Sequence, residues 1–89
     1  MSEIKITRPD DEELKKLGID SWSTWECEPS TFDWEYSDKE TAYVFDGKVK
    51  VKTPTGEVEI NKGDLVEFPE GLKCTWTVIE PIRKVYKFG

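Results

Sequence analysis

Short segments typical of β-strands, separated by Gly and Pro turns, follow one another from about residue 30 to the end of the chain. Lys48 to Lys52 alternates charged with apolar residues, which is the period of a half-buried strand, and Pro54-Thr55-Gly56 marks the next turn. Cys74 to Val78 repeats the alternation, and a last run extends from Ile82 to Phe88. Strands of this length and spacing predict an all-β fold, either an antiparallel β-barrel or a β-sandwich.

One short N-terminal helix is predicted before these strands, over about residues 9–17. Thr7 is the expected cap residue, and acidic residues fill the first turn. Lys15 and Lys16 occupy the last turn, and Gly18 follows as a stop signal. Helix content is expected to end there.

The size and charge of the chain limit its partners. Its length of 89 residues predicts one domain over residues 1–89. Thirteen Lys and Arg against nineteen Asp and Glu give a formal charge of -6, which disfavours nucleic acid and an anionic membrane as partners. We find no stretch near the roughly 20 apolar residues of a membrane span and no apolar signal-peptide core, so a cytoplasmic location is expected. Cys27 and Cys74 are therefore predicted to be free thiols.

The sequence contains no histidine. Histidine is the commonest general base near neutral pH and the commonest metal ligand. Nucleophilic chemistry of the Ser-His or Cys-His type is thereby excluded within this chain.

Two ordered sets of residues carry a family resemblance. The first is Glu40, followed after six residues by Gly47; the second is Gly63, five residues, Pro69-Glu70-Gly71, two residues and Cys74. Together they resemble the paired motifs of the cupin superfamily, G-x5-H-x-H-x3,4-E-x6-G and G-x5-P-x-G-x2-H-x3-N. Independently of the family, Gly47 and Gly63 are expected in tight turns between strands, where positive φ is required.

More closely, the chain resembles small single-domain cupins grouped with the (S)-ureidoglycine aminohydrolase cupin domain. The resemblance extends over most of the chain, including Trp25, Lys62-Gly63-Asp64, Phe68-Pro69-Glu70-Gly71, Trp76 and Arg83-Lys84-Val85-Tyr86. It implies a cupin-type jelly roll with motifs at about residues 34–47 and 63–78. The full aminohydrolase carries two such domains and a manganese site.

The first motif departs from the family at its histidines. Counting back three intervening residues from Glu40 places Trp34 and Tyr36 at the two histidine positions. Counting back four places Asp33 and Glu35 there instead. The two pairs have opposite parity along a strand, so they cannot both face the barrel interior.

The second motif has Cys74 where the family has its histidine. Among the family's metal-ligand positions, only Glu40 therefore has the same residue type as in the family. We therefore predict no resident metal. The alternative is a divalent ion such as Mn or Zn held by Glu40 and Cys74.

Aromatic and acidic side chains at positions that, by the resemblance, face the barrel interior in cupins predict a ligand pocket instead. Its predicted lining is Trp34, Tyr36, Glu40, Cys74, Trp76, Lys84 and Tyr86. Parity leaves open whether Lys84 or Arg83 neutralises Glu40, and a pocket filled by its own side chains is a further alternative.

Three functions follow from this sequence. The first is binding of a small polar molecule or cation without a metal, through cation-π contacts and the carboxylate of Glu40. The second is a metal-dependent enzyme related to (S)-ureidoglycine aminohydrolase. The third is a non-catalytic homodimer, since a chain of this size gains core by pairing.

Overall fold

The computed structural model describes residues 4–89. Its elements are β1 (Lys5–Thr7), α1 (Asp11–Leu17), a single 3-10 turn (Ile19–Ser21), β2 (Ser23–Cys27), β3 (Ser30–Glu35), β4 (Glu40–Thr53), β5 (Gly56–Asn61), β6 (Leu65–Phe68) and β7 (Lys73–Phe88). All observed strand pairs are antiparallel. The predicted all-β antiparallel fold with one short helix is confirmed.

Two long strands, β4 and β7, form the centre of the sheet and pair with each other along most of their length. The other edge of β4 pairs with β6 near its start and with β5 near its end. The other edge of β7 pairs with β3 along its first half and with β2 along its second half. The strands β3 and β2 therefore bring their aromatic residues beside the same strand, β7.

The sequence predicted a turn at Gly47 and a break between Val78 and Ile82, but β4 and β7 are continuous through these points, so this part of the prediction was wrong. Gly47 is not in a turn; it lies within β4 where the pairing with β7 shifts register, and its φ is +106°. A Cβ there would lie 2.5 Å from the carbonyl oxygen of Pro81 and 2.6 Å from Cα of Ile82. Glycine is thus needed because the bulged β4 backbone approaches β7 too closely for any side chain.

The turns predicted at Pro54-Thr55-Gly56 and at Gly63 are confirmed, and a further turn at Gly71 precedes β7. The backbone amide of Gly63 donates to the carbonyl of Val44 over 2.9 Å, and that of Gly71 donates to the carbonyl of Tyr36 over 2.7 Å. The second bond ties the β6–β7 turn to the end of β3.

The N-terminal part differs from the prediction in its boundaries. The cap of α1 is Asp10, whose side chain accepts a hydrogen bond from the amide of Glu13; Thr7 belongs to β1 instead. The strand β1 is held beside β6 by Arg8, whose Nε donates to buried Asp64 over 2.9 Å. The chain before residue 30 therefore contains two strands that the sequence did not predict, β1 and β2.

The inward faces of the strands form one apolar cluster. Its members are Tyr36, Ala42, Val44, Val49, Val51, Ile60, Val66, Phe68, Leu72, Cys74, Trp76, Val78 and Ile82. Cys27 and Cys74 are both free thiols, as predicted. Within residues 4–89, no helix is long and apolar enough to cross a bilayer.

Candidate functional site

Nine side chains from four strands and one turn enclose a cavity of about 200 Å³. They are Trp25, Phe32, Trp34, Tyr36, Glu40, Trp76, Lys84, Tyr86 and Phe88. Six of the seven side chains predicted to line a pocket are among them; the exception is Cys74.

The alternation of side chains along each strand explains which residues meet. In β3, Phe32 and Trp34 face the cavity, and Tyr36 follows directly after the strand. The intervening Asp33 and Glu35 line a different groove on the outside. Of the two ways of placing the first motif, the structure therefore places the aromatic pair, Trp34 and Tyr36, inside.

Lys84 and Glu40 form an ion pair in the wall of the cavity. Lys84 Nζ donates a hydrogen bond to Glu40 Oε2 over 2.6 Å. The two residues are only 5% and 4% exposed. Arg83, the alternative partner of Glu40, is exposed and lies over the ring of Phe45 instead.

The ammonium group of Lys84 is surrounded by aromatic rings. Its Nζ lies 4.8 Å from the ring centroid of Trp76, 5.1 Å from that of Trp25, 5.5 Å from that of Tyr86 and 5.8 Å from that of Phe68. We call these four rings the aromatic cage. Burial lowers the pKa of Lys84 below its ordinary value, and the charge and hydrogen bond of Glu40 offset part of that decrease.

Tyr36 is fixed beside this pair. Its ring stacks on Phe68 with centroids 4.7 Å apart, and its hydroxyl accepts a hydrogen bond from Trp76 Nε1 over 3.2 Å. Burial, together with the charge of Glu40, raises the pKa of the Tyr36 phenol far above its usual range. The phenol therefore stays protonated and neutral.

Two aromatic side chains in the lining are open to solvent. Trp34 is 49% exposed and Phe88 is 53% exposed, although both line the cavity. These exposed rings mark the side on which the cavity opens to solvent.

A family model for the EutQ-like cupin domain matches residues 14–86. The chain belongs to the EutQ-like cupin domain family. The acetate kinase EutQ of Clostridioides difficile (strain 630) is 31% identical to it over 75 residues, which are 84% of this chain and 46% of that protein. The chain thus spans about half the length of this curated relative.

Solved structures resemble this EutQ-like cupin domain as well. The crystal structure of a DUF861 family protein from Thermotoga maritima matches with a TM-score of 0.95 and 50% identity, covering 98% of this chain and 100% of that one. The structure of Clostridium difficile EutQ matches with a TM-score of 0.67 and 24% identity, covering 96% of this chain and 66% of that one. The second likeness concerns the fold alone. The small cupin predicted from the two motifs is confirmed.

Cys74 belongs to the apolar cluster but does not line the cavity of this EutQ-like cupin. It lines the outer groove that also holds Asp33 and Glu35, and its thiol lies 3.7 Å from the carbonyl oxygen of Trp34. Burial raises the pKa of the Cys74 thiol above its ordinary value. A protonated thiol is a poor nucleophile and a poor metal ligand.

The alternative prediction, a divalent ion held by Glu40 and Cys74, therefore does not fit the structure. Glu40 accepts its hydrogen bond from the ammonium group of Lys84, and Cys74 lines the other groove. Over the described range 4–89, no group of three Cys, Asp or Glu side chains could hold a metal ion.

Three residues line the cavity that were not predicted from the sequence: Trp25, Phe32 and Phe88. Phe32 shares the parity of Trp34, and Phe88 shares that of Lys84, so period-two alternation could have found both. Alternation could not identify Trp25 as a lining residue, because the strand that contains it was not predicted. It reaches the cavity because β2 pairs with β7 in a register that sets Trp25 opposite Lys84.

Proposed function

We propose that this EutQ-like cupin binds a small, uncharged polar organic molecule in its cavity, without a resident metal ion. The observation that carries the proposal is the aromatic cavity with the Lys84–Glu40 pair in its wall. Binding sites for small molecules are mostly apolar hollows with a few polar groups that fix orientation, and this cavity has that composition.

The ion pair argues for an uncharged ligand rather than the small cation considered from the sequence. The aromatic cage already holds the ammonium group of Lys84, where an incoming cation would have made its cation-π contacts. Glu40 is already paired with that ammonium group. A neutral molecule with a hydrogen-bonding group meets a donor and an acceptor there without a net charge.

The size of the cavity limits the ligand. A dry protein cavity of about 150 Å³ can bind benzene. The cavity here measures about 200 Å³. A ligand somewhat larger than benzene would fill it, and a nucleotide would not fit inside.

Two other activities receive less support from the residues present. The relative named acetate kinase EutQ would transfer a phosphoryl group, which needs cations free to neutralise phosphate oxygens. Among residues 4–89, the cavity lining holds one cation, Lys84, and Glu40 already pairs with it. The aminohydrolase activity needs a metal, for which the donor set does not fit. The homodimer stays a prediction, which light scattering would test.

A thermal-shift screen of chelator-treated protein tests the proposal. The panel contains neutral amides, ureides, aldehydes, ketones and sugars, with matched amines and carboxylates for comparison. We expect one or more neutral compounds to raise Tm, and Glu40→Gln to abolish the effect. A panel without any stabilising compound, or stabilisation by amines alone, would contradict the proposal.

Metal analysis separates the proposal from the aminohydrolase alternative. Protein purified without a histidine tag is supplied with Mn and then Zn, and dialysed before measurement. We expect far less than one ion per chain. A stoichiometric ion that is lost in Glu40→Gln would favour the metal-dependent enzyme instead.

A further inference from the structure

Lys84 combines three properties that a structural ion pair does not require. Its amine lies in the wall of a cavity, a carboxylate lies 2.6 Å from its Nζ, and aromatic rings surround it. Apolar side chains of similar volume commonly stabilise a core as well as a buried ion pair does. Stability alone therefore gives no reason for placing this pair beside an open cavity.

Amines in such surroundings are the ones that react with carbonyl groups. Burial lowers the pKa of Lys84, which favours the neutral, nucleophilic form of its amine. Lysines desolvated in apolar pockets form Schiff bases with carbonyl substrates for this reason. Glu40 lies where the proton released by the ammonium group must go.

We propose that Lys84 captures a small aldehyde or ketone in the cavity as a Schiff base, with Glu40 as the proton carrier. This rests on the proposed function, and it names the chemical class of the ligand. Glu40 first accepts a proton from the ammonium group. The neutral amine then attacks the carbonyl carbon and a C–N bond forms. A proton moves from that nitrogen to the former carbonyl oxygen to give a neutral carbinolamine, while Glu40 keeps the proton that it accepted.

The second half of the reaction returns the proton. Glu40 protonates the carbinolamine hydroxyl, the C–O bond breaks, water leaves, and nitrogen forms a double bond to carbon. Lysine ammonium and carbonyl compound thus give iminium and water, so the reaction requires neither an oxidant nor a reductant. Glu40 ends as a carboxylate.

The surroundings of Lys84 suit the product as well as the reactant. The iminium nitrogen carries the same positive charge as the ammonium group that it replaces. The aromatic cage and Glu40 can therefore stabilise both states. The carbon chain of the aldehyde extends into the cavity, where Phe32 and Trp34 supply apolar surface.

Reductive trapping with propanal and sodium cyanoborohydride tests the inference. Cyanoborohydride converts an iminium into a stable propyl-lysine, which peptide mass mapping assigns to a residue. Lys87 is the internal control, because it is exposed and its Nζ lies 5.2 Å from the ring of Trp22, outside the cavity. We expect Lys84 to be labelled at least tenfold faster than Lys87 in the same chain. Equal or slower labelling of Lys84 would overturn the inference.

Variants locate the chemistry. K84R keeps a cation in the cage but removes the nucleophile, so the rapid labelling should disappear; the matched K87R should leave it unchanged. The comparison of two lysines within the unmodified protein remains decisive even if K84R does not fold. If neutral compounds raise Tm but propanal does not label Lys84 preferentially, the Schiff base is overturned and the proposed function stands. If no compound raises Tm and Lys84 is not labelled, both are overturned.

Discussion

Lys84 Nζ and Glu40 Oε2 are 2.6 Å apart, and both side chains are almost completely removed from solvent. Each charge is therefore stabilised mainly by the other, and the ammonium group also by the surrounding rings. Placing two ions in a protein interior costs several kcal/mol per ion, so the loss of either partner leaves the other uncompensated.

The first prediction concerns this coupling. Glu40→Leu and Lys84→Met should each lower the free energy of unfolding by about 3–5 kcal/mol, because each leaves one buried charge without a partner. The double variant, which buries neither charge, should be more stable than either single variant. Urea denaturation measures all four proteins. Additive losses in the double variant would show that the pair is not coupled.

The second prediction concerns Tyr36 and alkaline pH. The raised pKa of its phenol means that the unfolded chain ionises near the ordinary value of 10.0 while the folded protein does not. The folded state then binds more protons, so this contribution to stability is complete below pH 10 and is lost as pH rises above it. We expect the free energy of unfolding of the wild type to fall more steeply above pH 10 than that of Tyr36→Phe.

The comparison with Tyr36→Phe isolates this contribution. The raised pKa of Cys74 also makes the free energy of unfolding fall as pH rises above 9.0. The lowered pKa of Lys84 has the opposite effect and makes the free energy of unfolding rise as pH approaches 10.5. Both are present in wild type and variant and cancel in the difference. At neutral pH the variant should be less stable by about 1–3 kcal/mol, because Trp76 Nε1 loses its acceptor. Parallel curves above pH 10 would contradict the assignment.

The third prediction concerns the glycine in the β4 bulge. Gly47→Ala places a Cβ against the backbone of Pro81 and Ile82, in addition to the strain of positive φ. Gly63→Ala introduces only the backbone strain of positive φ, since no atom lies within 4 Å of the added Cβ. We expect Gly63→Ala to cost about 1–3 kcal/mol and Gly47→Ala to cost clearly more. Equal losses in urea denaturation would mean that the close approach is not limiting.

The fourth prediction separates binding from stability at the mouth of the cavity. Trp34 and Phe88 are each about half exposed, so replacing either by Ala should change the free energy of unfolding by less than about 1 kcal/mol. Both replacements should nevertheless weaken binding of any compound that raises Tm in the wild type. Ile79→Ala, an exposed apolar residue outside the cavity lining, is the control. Loss of binding in the control alone would place the site elsewhere.

Much of the fold and of the site followed from alternation along strands. The cupin resemblance placed Trp34, Tyr36 and Tyr86 at inward positions, and alternation showed that Lys84 shares a face with Tyr86. Alternation alone left open which face of each strand points inward. Alternation does not predict a lining residue whose position depends on strand pairing. The strand β2 is short and polar, and Trp25 reaches the cavity because the register of β2 on β7 places it opposite Lys84.

Two other differences between prediction and structure depend on distances between residues, which the sequence does not give. A turn and a bulge both require positive φ, so only the proximity of Pro81 distinguishes them at Gly47. Cys74 has the parity of Trp76, but its short side chain ends near the carbonyl of Trp34 and does not reach the cavity.

The tryptophan indole groups give the most direct test of binding in this cavity. Trp25, Trp34 and Trp76 line it, whereas Trp22 lies beside Lys87 outside it. In protein labelled with 15N-tryptophan, titration with the compound that raises Tm most should shift the indole N–H signals of the three lining residues and saturate. The Trp22 signal should stay in place. Four unmoved signals at saturating concentration, or a Trp22 shift as large as the others, would contradict ligand binding in this cavity.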